Sequence, residues 1–158
     1  MTKGTAVLAC VLAACVATYA ANVMEISTVD ELLKLRDEMK DAAGAVYTKD
    51  IEITATLNLT DGQLTQPLGT RADGTCTVYS GTLHGNGNSI MGFKLGQKDE
   101  MAETAFFCGL KDATVEDLTF DDQCAMAATN KAAMLALKAS GTVALVNVHN
   151  MGTVSSAN

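Results

Sequence analysis

Residues 115–120 read VEDLTF, with apolar side chains at the first, fourth and sixth positions. The same spacing occurs in IMGFKL at residues 90–95 and in VALVNV at residues 143–148. The steps between these segments are 25 and 28 residues, within the range of about 20–50 residues that is typical of stacked structural repeats. We therefore predict that the first residues of the three segments are equivalent positions, stacked on one another in parallel strands.

A second apolar patch precedes each of these segments, at residues 80–83, 106–110 and 134–137. Most of the connections are too short for a helix of ordinary length, although residues 125–138 are also compatible with one. A sheet built from strand–helix–strand units is therefore disfavoured. The remaining solution is a coil of parallel strands with aliphatic and Phe side chains inside.

The segment before the repeats contains a helix signal. Thr28 and Glu31 form a T-x-x-E capping box, and Leu32, Leu35 and Met39 follow at helical spacing. We predict that the chain after the leader opens with a helix over residues 28–42, which ends near the C-cap Gly44 and covers the N-terminal end of the coil. Alternating strand patterns at residues 50–53 and 57–60 follow, and then a polar loop at residues 61–77.

The first twenty residues have the pattern of a secretory signal peptide. Lys3 is followed by an apolar run over residues 5–20 that ends in the small-residue site Thr18-Tyr19-Ala20. A membrane anchor needs about 20 apolar residues, and this run is shorter. LAAC at residues 12–15 leaves a second alternative open, in which Cys15 carries a lipid and anchors the protein. The predicted divisions are a signal peptide at 1–20, a capping-helix region at 21–44 and a coil at 45–158.

Several motifs occur in an order that resembles GLUG-type, pectin-lyase-like proteins. They are IST at residues 26–28 with the helix after it, QPLGT at 66–70, YSGTLHGNGNSI at 79–90 and ATVEDLTF at 113–120. The resemblance covers residues 26–150, but residues 132–140 depart from the Gly-rich segment of that family. It implies an all-β fold with a right-handed parallel β-helix, although most relatives have many more rungs. The repeats and the helix signal of this chain predict a short β-helix of about three to four rungs with an N-terminal α-helical cap. The resemblance also implies a secreted or cell-surface protein used in adhesion.

Composition excludes some function classes. The formal net charge of −7 becomes −8 without the leader, which disfavours binding to nucleic acid. Aromatic residues are 4% and Trp is absent, which leaves few platforms for carbohydrate. Two of Cys76, Cys108 and Cys124 could pair in an oxidising compartment, but the apolar surroundings of Cys108 favour a buried free thiol there. No zinc spacing is present, and we expect neither a metal nor a cofactor.

Few residues are candidates for chemistry. Asp121 and Asp122 follow a strand, where paired carboxylates could perform acid–base catalysis or bind a ligand, although solvated acids at a strand end are the simpler interpretation. His84 and His149 lack a nucleophile or carboxylate at a motif spacing, and both are expected in exposed turns. The Gly-Asn-Gly-Asn sequence at residues 85–88 predicts a tight corner. Asn58 begins the sole N-glycosylation sequon.

The two ends of the predicted coil differ. The helix covers the N-terminal end, whereas the sequence after the last apolar segment offers no cap. Val143, Val146 and Val148 therefore form a candidate face for association with a protein partner or with another copy, and contact between unlike ends would be open-ended.

These features favour an exported, non-catalytic module for cell-surface adhesion, scaffolding or assembly. The alternative is a diverged or truncated polysaccharide lyase or hydrolase, and a third possibility is a fragment of a longer surface protein. Carbohydrate is a further candidate partner, and contact with a membrane is expected only if Cys15 is lipidated.

Export is tested by the N-terminus of the secreted protein. Because the apolar run ends at Ala20, mass spectrometry is expected to find a chain that starts near Ala21. A lipidated Cys15 would favour the anchored alternative. An intact Met1 on surface material would contradict the prediction of a cleaved signal.

Overall fold

The computed structural model describes residues 22–59, 62–96 and 101–156. The predicted signal peptide, including Cys15, lies outside these residues. The described chain is mostly β-structure in parallel sheets, with one α-helix, α1, at Val29–Lys40. The predicted all-β class is confirmed. No helix within the three described ranges is long and apolar enough to cross a membrane.

The described strands form five parallel sheets, and successive strands along the chain enter different sheets. Sheet I consists, in spatial order, of Val23–Ile26 (β1), Asp50–Ile53 (β3), Thr82–His84 (β6), Thr114–Glu116 (β11) and Ala144–Val146 (β16). Sheet II consists of Val46–Tyr47 (β2), Val78–Tyr79 (β5), Leu110–Lys111 (β10) and Ala139–Ser140 (β15). Sheet III consists of Leu57–Asn58 (β4), Ser89–Met91 (β7), Thr119–Phe120 (β12) and His149–Asn150 (β17).

The remaining strands complete two smaller sheets. Sheet IV consists of Lys94–Leu95 (β8), Ala125–Ala128 (β13) and Thr153–Ser156 (β18). Sheet V consists of Glu103–Thr104 (β9) and Lys131–Ala132 (β14). The helix-compatible residues 125–138 therefore contain two strands and no helix.

The chain returns to sheet I at nearly constant intervals. Ile51 pairs with Leu83, Leu83 with Val115, and Val115 with Leu145, at steps of 32, 32 and 30 residues. We define a repeat as the stretch that begins at one strand of sheet II and runs to the next. The last repeat covers residues 139–156.

The stacking register predicted from sequence is wrong. Ile90 pairs with Phe120 in sheet III, whereas Val115 pairs with Leu83 and Leu145 in sheet I. In residues 90–95 and 115–120 the same apolar spacing marks two different corners, the first between sheets III and IV and the second between sheets I and III. In residues 143–148 the spacing is offset by two residues, because Leu145 and not Val143 pairs with Val115.

Alternation along each strand separates the core from the surface. In β3, Ile51 and Ile53 are 0% and 1% exposed, whereas the alternating polar residues Asp50 and Glu52 are partly exposed. Leu83 and Val115 continue the column of Ile51 and are equally buried. Full burial of such a side chain contributes about 1.5–3 kcal/mol. The inner columns therefore supply the main cohesion between repeats.

The capping box is confirmed. The Thr28 Oγ1 accepts a hydrogen bond from the Glu31 amide at 3.3 Å, and the Glu31 carboxylate accepts one from the Thr28 amide at 3.0 Å. Hydrogen bonds from Ser27 and Thr28 lower the pKa of Glu31. The helix ends at Lys40, two residues before the predicted end, and its C-cap is Asp41. The prediction of Gly44 as the C-cap is therefore wrong, because Gly44 lies in the short 3-10 turn that follows, with φ of 66°.

The helix packs against the end of the sheets that β1 and β2 occupy. Leu32, Leu35 and Met39 are buried in the same apolar core as the inner strand residues. The Glu38 carboxylate accepts hydrogen bonds from the Tyr47 hydroxyl and the Lys49 ammonium, both at 3.0 Å. The predicted N-terminal cover is thus present in the structure.

An edge strand before the helix was not predicted from the sequence. The strand β1 precedes α1 and pairs with β3, so the predicted capping-helix region at residues 21–44 also contributes an edge strand to sheet I.

The described part of the predicted loop, residues 62–77, stands where later repeats have strands of sheets IV and V. It is tied to the next repeat by a disulfide between Cys76 and Cys108, whose Cα atoms are 5.6 Å apart. The prediction of a free thiol at Cys108 is therefore wrong, and among the described residues the free buried cysteine is Cys124. The two bonded residues are 32 positions apart, which is one repeat, so stacking brings them together.

The predicted corner at residues 85–88 is confirmed. Asn86 and Gly87 have φ of 53° and 73°, in the left-handed region that Asn and Gly tolerate best. Asp117 and Asn147 occupy left-handed corners in the next two repeats. A Cβ atom on Gly85 would collide with the backbone of Asp117, so glycine is required at that close approach.

The inner column of sheet I is tested by Val115→Asp. An unpaired carboxylate between Leu83 and Leu145 is expected to lower the free energy of unfolding by about 4 kcal/mol, because the charge cannot be hydrated there. Chemical denaturation measures this, with Thr119→Asp on the partly exposed face of β12 as the control. An unchanged unfolding midpoint for Val115→Asp would contradict the described register.

Candidate functional site

Four sheets end together at one end of the described chain. Each of β15, β16, β17 and β18 pairs with a strand on one side, and no described strand lies on the other side. Such unpaired edges are templates for pairing with another chain. We refer to the surface formed by residues 139–156 as the C-terminal end.

The C-terminal end exposes large apolar side chains. Leu145, Val146, Met151 and Val154 are 55%, 49%, 59% and 43% exposed. The fifth large apolar side chain exposed among the described residues is Val46, at 37%, in β2 at the opposite end of sheet II. Exposed apolar groups are therefore concentrated at one end of the sheets.

Two of these side chains occupy core positions of the repeat. Leu145 continues the inner column that contains Val115, and Val154 continues the column of Leu95 and Met126. Val115, Leu95 and Met126 are 0%, 2% and 1% exposed. Leu145 and Val154 are exposed because each has a strand neighbour on one side only among the described residues.

The predicted association residues are located at this end, but in different environments. Val146 pairs with Glu116 on the outer face of sheet I and is half exposed. Val143 and Val148 are partly buried against the core. The residues missed from the sequence are Leu145, Met151 and Val154. Strand alternation in the correct register would have identified Leu145.

The last repeat has an unusual composition. Residues 139–156 contain no Asp, Glu, Lys, Arg or Pro, and His149 is the only ionisable side chain. Charges and prolines are the usual means by which an exposed strand edge avoids pairing with other chains. The C-terminal end lacks both.

Asp121 has a structural environment that the sequence did not predict. It is 7% exposed, and its Oδ1 accepts hydrogen bonds from the amides of Gly92 and Gln123 at 3.3 and 3.1 Å. The Cys124 thiol lies 3.4 Å from the same oxygen. The expectation of a solvated acid is therefore wrong for Asp121, because its carboxylate supports the turn after β12 and the adjacent repeat.

Asp122 is exposed, as expected for a solvated acid. Since Asp121 is buried in its turn, the two adjacent carboxylates lie in different environments and do not form an open acid–base pair. Within the described ranges, no group of three or more His, Cys, Asp or Glu side chains is arranged to hold a metal ion.

The outer face of sheet I carries a column of ionisable residues. Glu25, Glu52, His84 and Glu116 are successive partners across the strands. The Nδ1 atom of His84 lies 2.5 Å from a carboxylate oxygen of Glu116. The expectation that His84 lies in an exposed turn is wrong, since it is in β6 and partly buried. Its partner was missed because it is one repeat away.

His149 lies on a different face, in β17 of sheet III, and does not meet His84. It borders a shallow cavity of about 320 Å³ together with Gly87, Asp117, Thr119 and Asn147. The Asn147 side-chain amide donates a hydrogen bond to the Asp117 carboxylate at 2.9 Å. The residues that line this polar cavity come from the corners of three successive repeats.

Two smaller cavities flank the segment 65–70 of the loop. One, of about 160 Å³, contains the Cys76–Cys108 disulfide in its wall, with Glu103 and Lys138 nearby. The other, of about 180 Å³, separates the loop from Arg36 and Lys40 of α1.

Two further candidates have clear environments. Burial raises the pKa of the Cys124 thiol to about 11, which keeps it protonated and unreactive at neutral pH. The side chain of Asn58 is exposed in β4, which is compatible with its predicted glycosylation.

Comparison with known proteins gives no family assignment. No protein family, curated protein or solved structure matches the chain significantly. The resemblance to GLUG-type proteins stays a prediction from the sequence motifs.

Proposed function

We propose that this chain is an exported, non-catalytic, right-handed parallel β-helix that serves as a module for cell-surface adhesion, scaffolding or assembly. The observation that carries the proposal is the C-terminal end, where four strand edges lack a partner among the described residues and exposed apolar side chains coincide with no formal charge.

The β-helix part of the proposal rests on strand order. Parallel strands enter the sheets in the same sequence in each repeat, and equivalent residues pair at steps of about 30 residues. Connections between parallel strands of one sheet are right-handed in nearly all proteins. The resemblance to pectin-lyase-like proteins implies the same architecture.

The extracellular location rests on two features. The apolar leader at residues 5–20 has the pattern of a signal peptide, and the Cys76–Cys108 disulfide suits an oxidising compartment. If Cys15 is lipidated, the same module would be held at a membrane surface.

The assembly part rests on the difference between the two ends. At the N-terminal end, α1 covers the apolar core with Leu32, Leu35 and Met39. At the C-terminal end, Leu145 is left in water, at about 25 cal/mol for each Å² of apolar surface. A binding partner would remove this cost.

Val146→Lys tests the association surface. Val146 is on the outer face and half exposed, beside Glu116, so a lysine there is expected to leave the unfolding temperature within a few degrees of wild type. We expect the wild-type protein to associate at micromolar concentration and Val146→Lys to weaken association at least tenfold. Analytical ultracentrifugation measures this.

The matched control is Val46→Lys, which places the same charge on an exposed valine in β2, at the opposite end of sheet II. It should leave association unchanged. A wild-type protein that stays monomeric at high micromolar concentration, alone and with extracts of the producing cell surface, would contradict the assembly function.

A second candidate function is a polysaccharide lyase or hydrolase. The observation that favours it is the carboxylate column of sheet I, in which Glu52 and Glu116 flank His84 on one face. Two strand spacings separate their Cα atoms by roughly 9–10 Å, near the upper end of the carboxyl separation of about 6.5–9.5 Å in inverting glycosidases. It ranks second because none of the three cavities described above includes these residues.

Glu116→Gln tests this second candidate. If Glu116 acts as an acid or base, the variant should lose at least about 100-fold in the release of reducing ends or unsaturated products from acidic polysaccharides. Glu25→Gln, at the edge of the same column, is the control. Absence of wild-type activity on a panel of such substrates would leave the non-catalytic proposal in place.

A further inference from the structure

We propose that the Cys76–Cys108 disulfide is a redox-sensitive switch, which holds residues 70–76 as a strap beside the cavity of about 160 Å³. Reduction of this bond by a dithiol releases the strap and opens the cavity, while the sheets stay folded. This conformational device is separate from the proposed assembly function.

The strap is a small hairpin with its own hydrogen bonds. Thr70 and Cys76 face each other in an antiparallel bridge, and the Arg71 amide donates a hydrogen bond to the Thr75 carbonyl at 2.9 Å. The side chains of residues 72–75 are exposed. Because these hydrogen bonds are internal, the hairpin keeps them when it moves as a unit.

The strap is attached to the rest of the protein on two sides. The disulfide joins it to the second repeat, and the Arg71 guanidinium donates hydrogen bonds to the Ala42 carbonyl and the Thr77 hydroxyl, at 3.0 and 3.3 Å. Outside the strap, the Leu68 amide donates a hydrogen bond to the Phe106 carbonyl at 2.7 Å, and Leu68 is 0% exposed. Cleavage of the disulfide leaves this part of the loop in the core, so the release is local.

The cavity gives a reductant access to the disulfide. Both cysteines line it, and Cys76 is partly exposed, whereas Cys108 is 4% exposed. Lys138 and Glu103 also line the cavity, and their charges balance, so this part of an acidic protein does not repel an approaching thiolate. Cys76 is therefore the sulfur that a small dithiol reaches first.

Reduction proceeds by two displacements. One thiolate of the dithiol attacks the Sγ atom of Cys76, the S–S bond breaks, and its electron pair leaves on the Sγ atom of Cys108, which takes up a proton. The second thiolate of the dithiol then attacks the reagent's own sulfur in the mixed disulfide and displaces Cys76, which is protonated in turn. The dithiol is oxidised to a cyclic disulfide, and two cysteine thiols are formed.

Release of the strap changes the surface that the cavity presents. Met101 and the largely buried Leu137 line it together with Thr70 and Gly74 of the strap. Once the strap is displaced, these two apolar side chains are accessible from its side, and the reduced protein presents a wider cleft. On the proposed export route, the chain is open in the reducing compartment and closes when the disulfide forms outside.

Trypsin tests the switch in the exported full-length protein, because Arg71 lies inside the strap. Cleavage after Arg71 is expected to be slow in the oxidised protein and at least tenfold faster in excess dithiothreitol, since proteolysis follows the population of the open form. Cleavage after Lys34, in the middle of α1, is the internal control and should not change. Mass spectrometry of the products gives both rates.

Alkylation with iodoacetamide shows which cysteines have been reduced. Cys76 and Cys108 should react after treatment with dithiothreitol, whereas Cys124 is 0% exposed and should stay unmodified while the protein is folded. A disulfide that resists dithiothreitol in the folded protein would overturn the switch.

The double variant Cys76→Ser/Cys108→Ser is the second measurement. It should be cleaved after Arg71 as fast as the reduced wild-type protein, with and without dithiothreitol, and circular dichroism should show that the sheets are retained. Equal cleavage after Arg71 in the oxidised and reduced wild-type protein would overturn the proposal. Faster cleavage after Lys34 on reduction, with loss of the circular dichroism signal, would identify a bond that the whole fold needs and would overturn it as well. The assembly function is measured on the oxidised protein and does not depend on these outcomes.

Discussion

The backbone hydrogen bonds between repeats are the constraint on which the rest of this structure depends. The strands have two to four residues, too few to be stable alone, so each obtains its partners from the repeats before and after it. In sheet II, the Tyr79 amide donates to the Gly109 carbonyl and the Leu110 amide to the Lys138 carbonyl, both at 2.9 Å. The close approach of the next repeat then requires a residue without a side chain at corner positions such as Gly85.

A fold built in this way has a special requirement at its two ends. An inner column is stable where apolar side chains lie on both sides, and the first and last strands lack one neighbour. At the N-terminal end, α1 and the loop at residues 62–77 close the core, and the Cys76–Cys108 disulfide holds the loop to the second repeat. The C-terminal end has no equivalent cover among the described residues, so its free energy depends on what it contacts.

The sequence predicted the features that depend on neighbouring residues and missed those that depend on the register. The capping box at Thr28 and the corner at residues 85–88 follow from local chemistry, and both are present. The register was wrong because the same apolar spacing marks two different corners in residues 90–95 and 115–120 and is offset by two residues in 143–148. Because of that error, the contacts of Cys76 with Cys108 and of His84 with Glu116 were not predicted, since the two members of each pair are one repeat apart. Burial of Asp121 depends on Gly92 in the preceding repeat, which no local pattern reveals.

The uncharged last repeat is not required by the packing of a single chain. The third repeat has Lys111 and Glu116 at outer positions that leave the inner columns intact. The corresponding residues in the last repeat are Ser140 and Val146. Charged residues at these positions would face solvent without disturbing Leu145, and they would protect the strand edges from pairing with other chains. Packing of the described residues gives no reason to omit charges at these two positions, and the omission therefore supports the proposed assembly function.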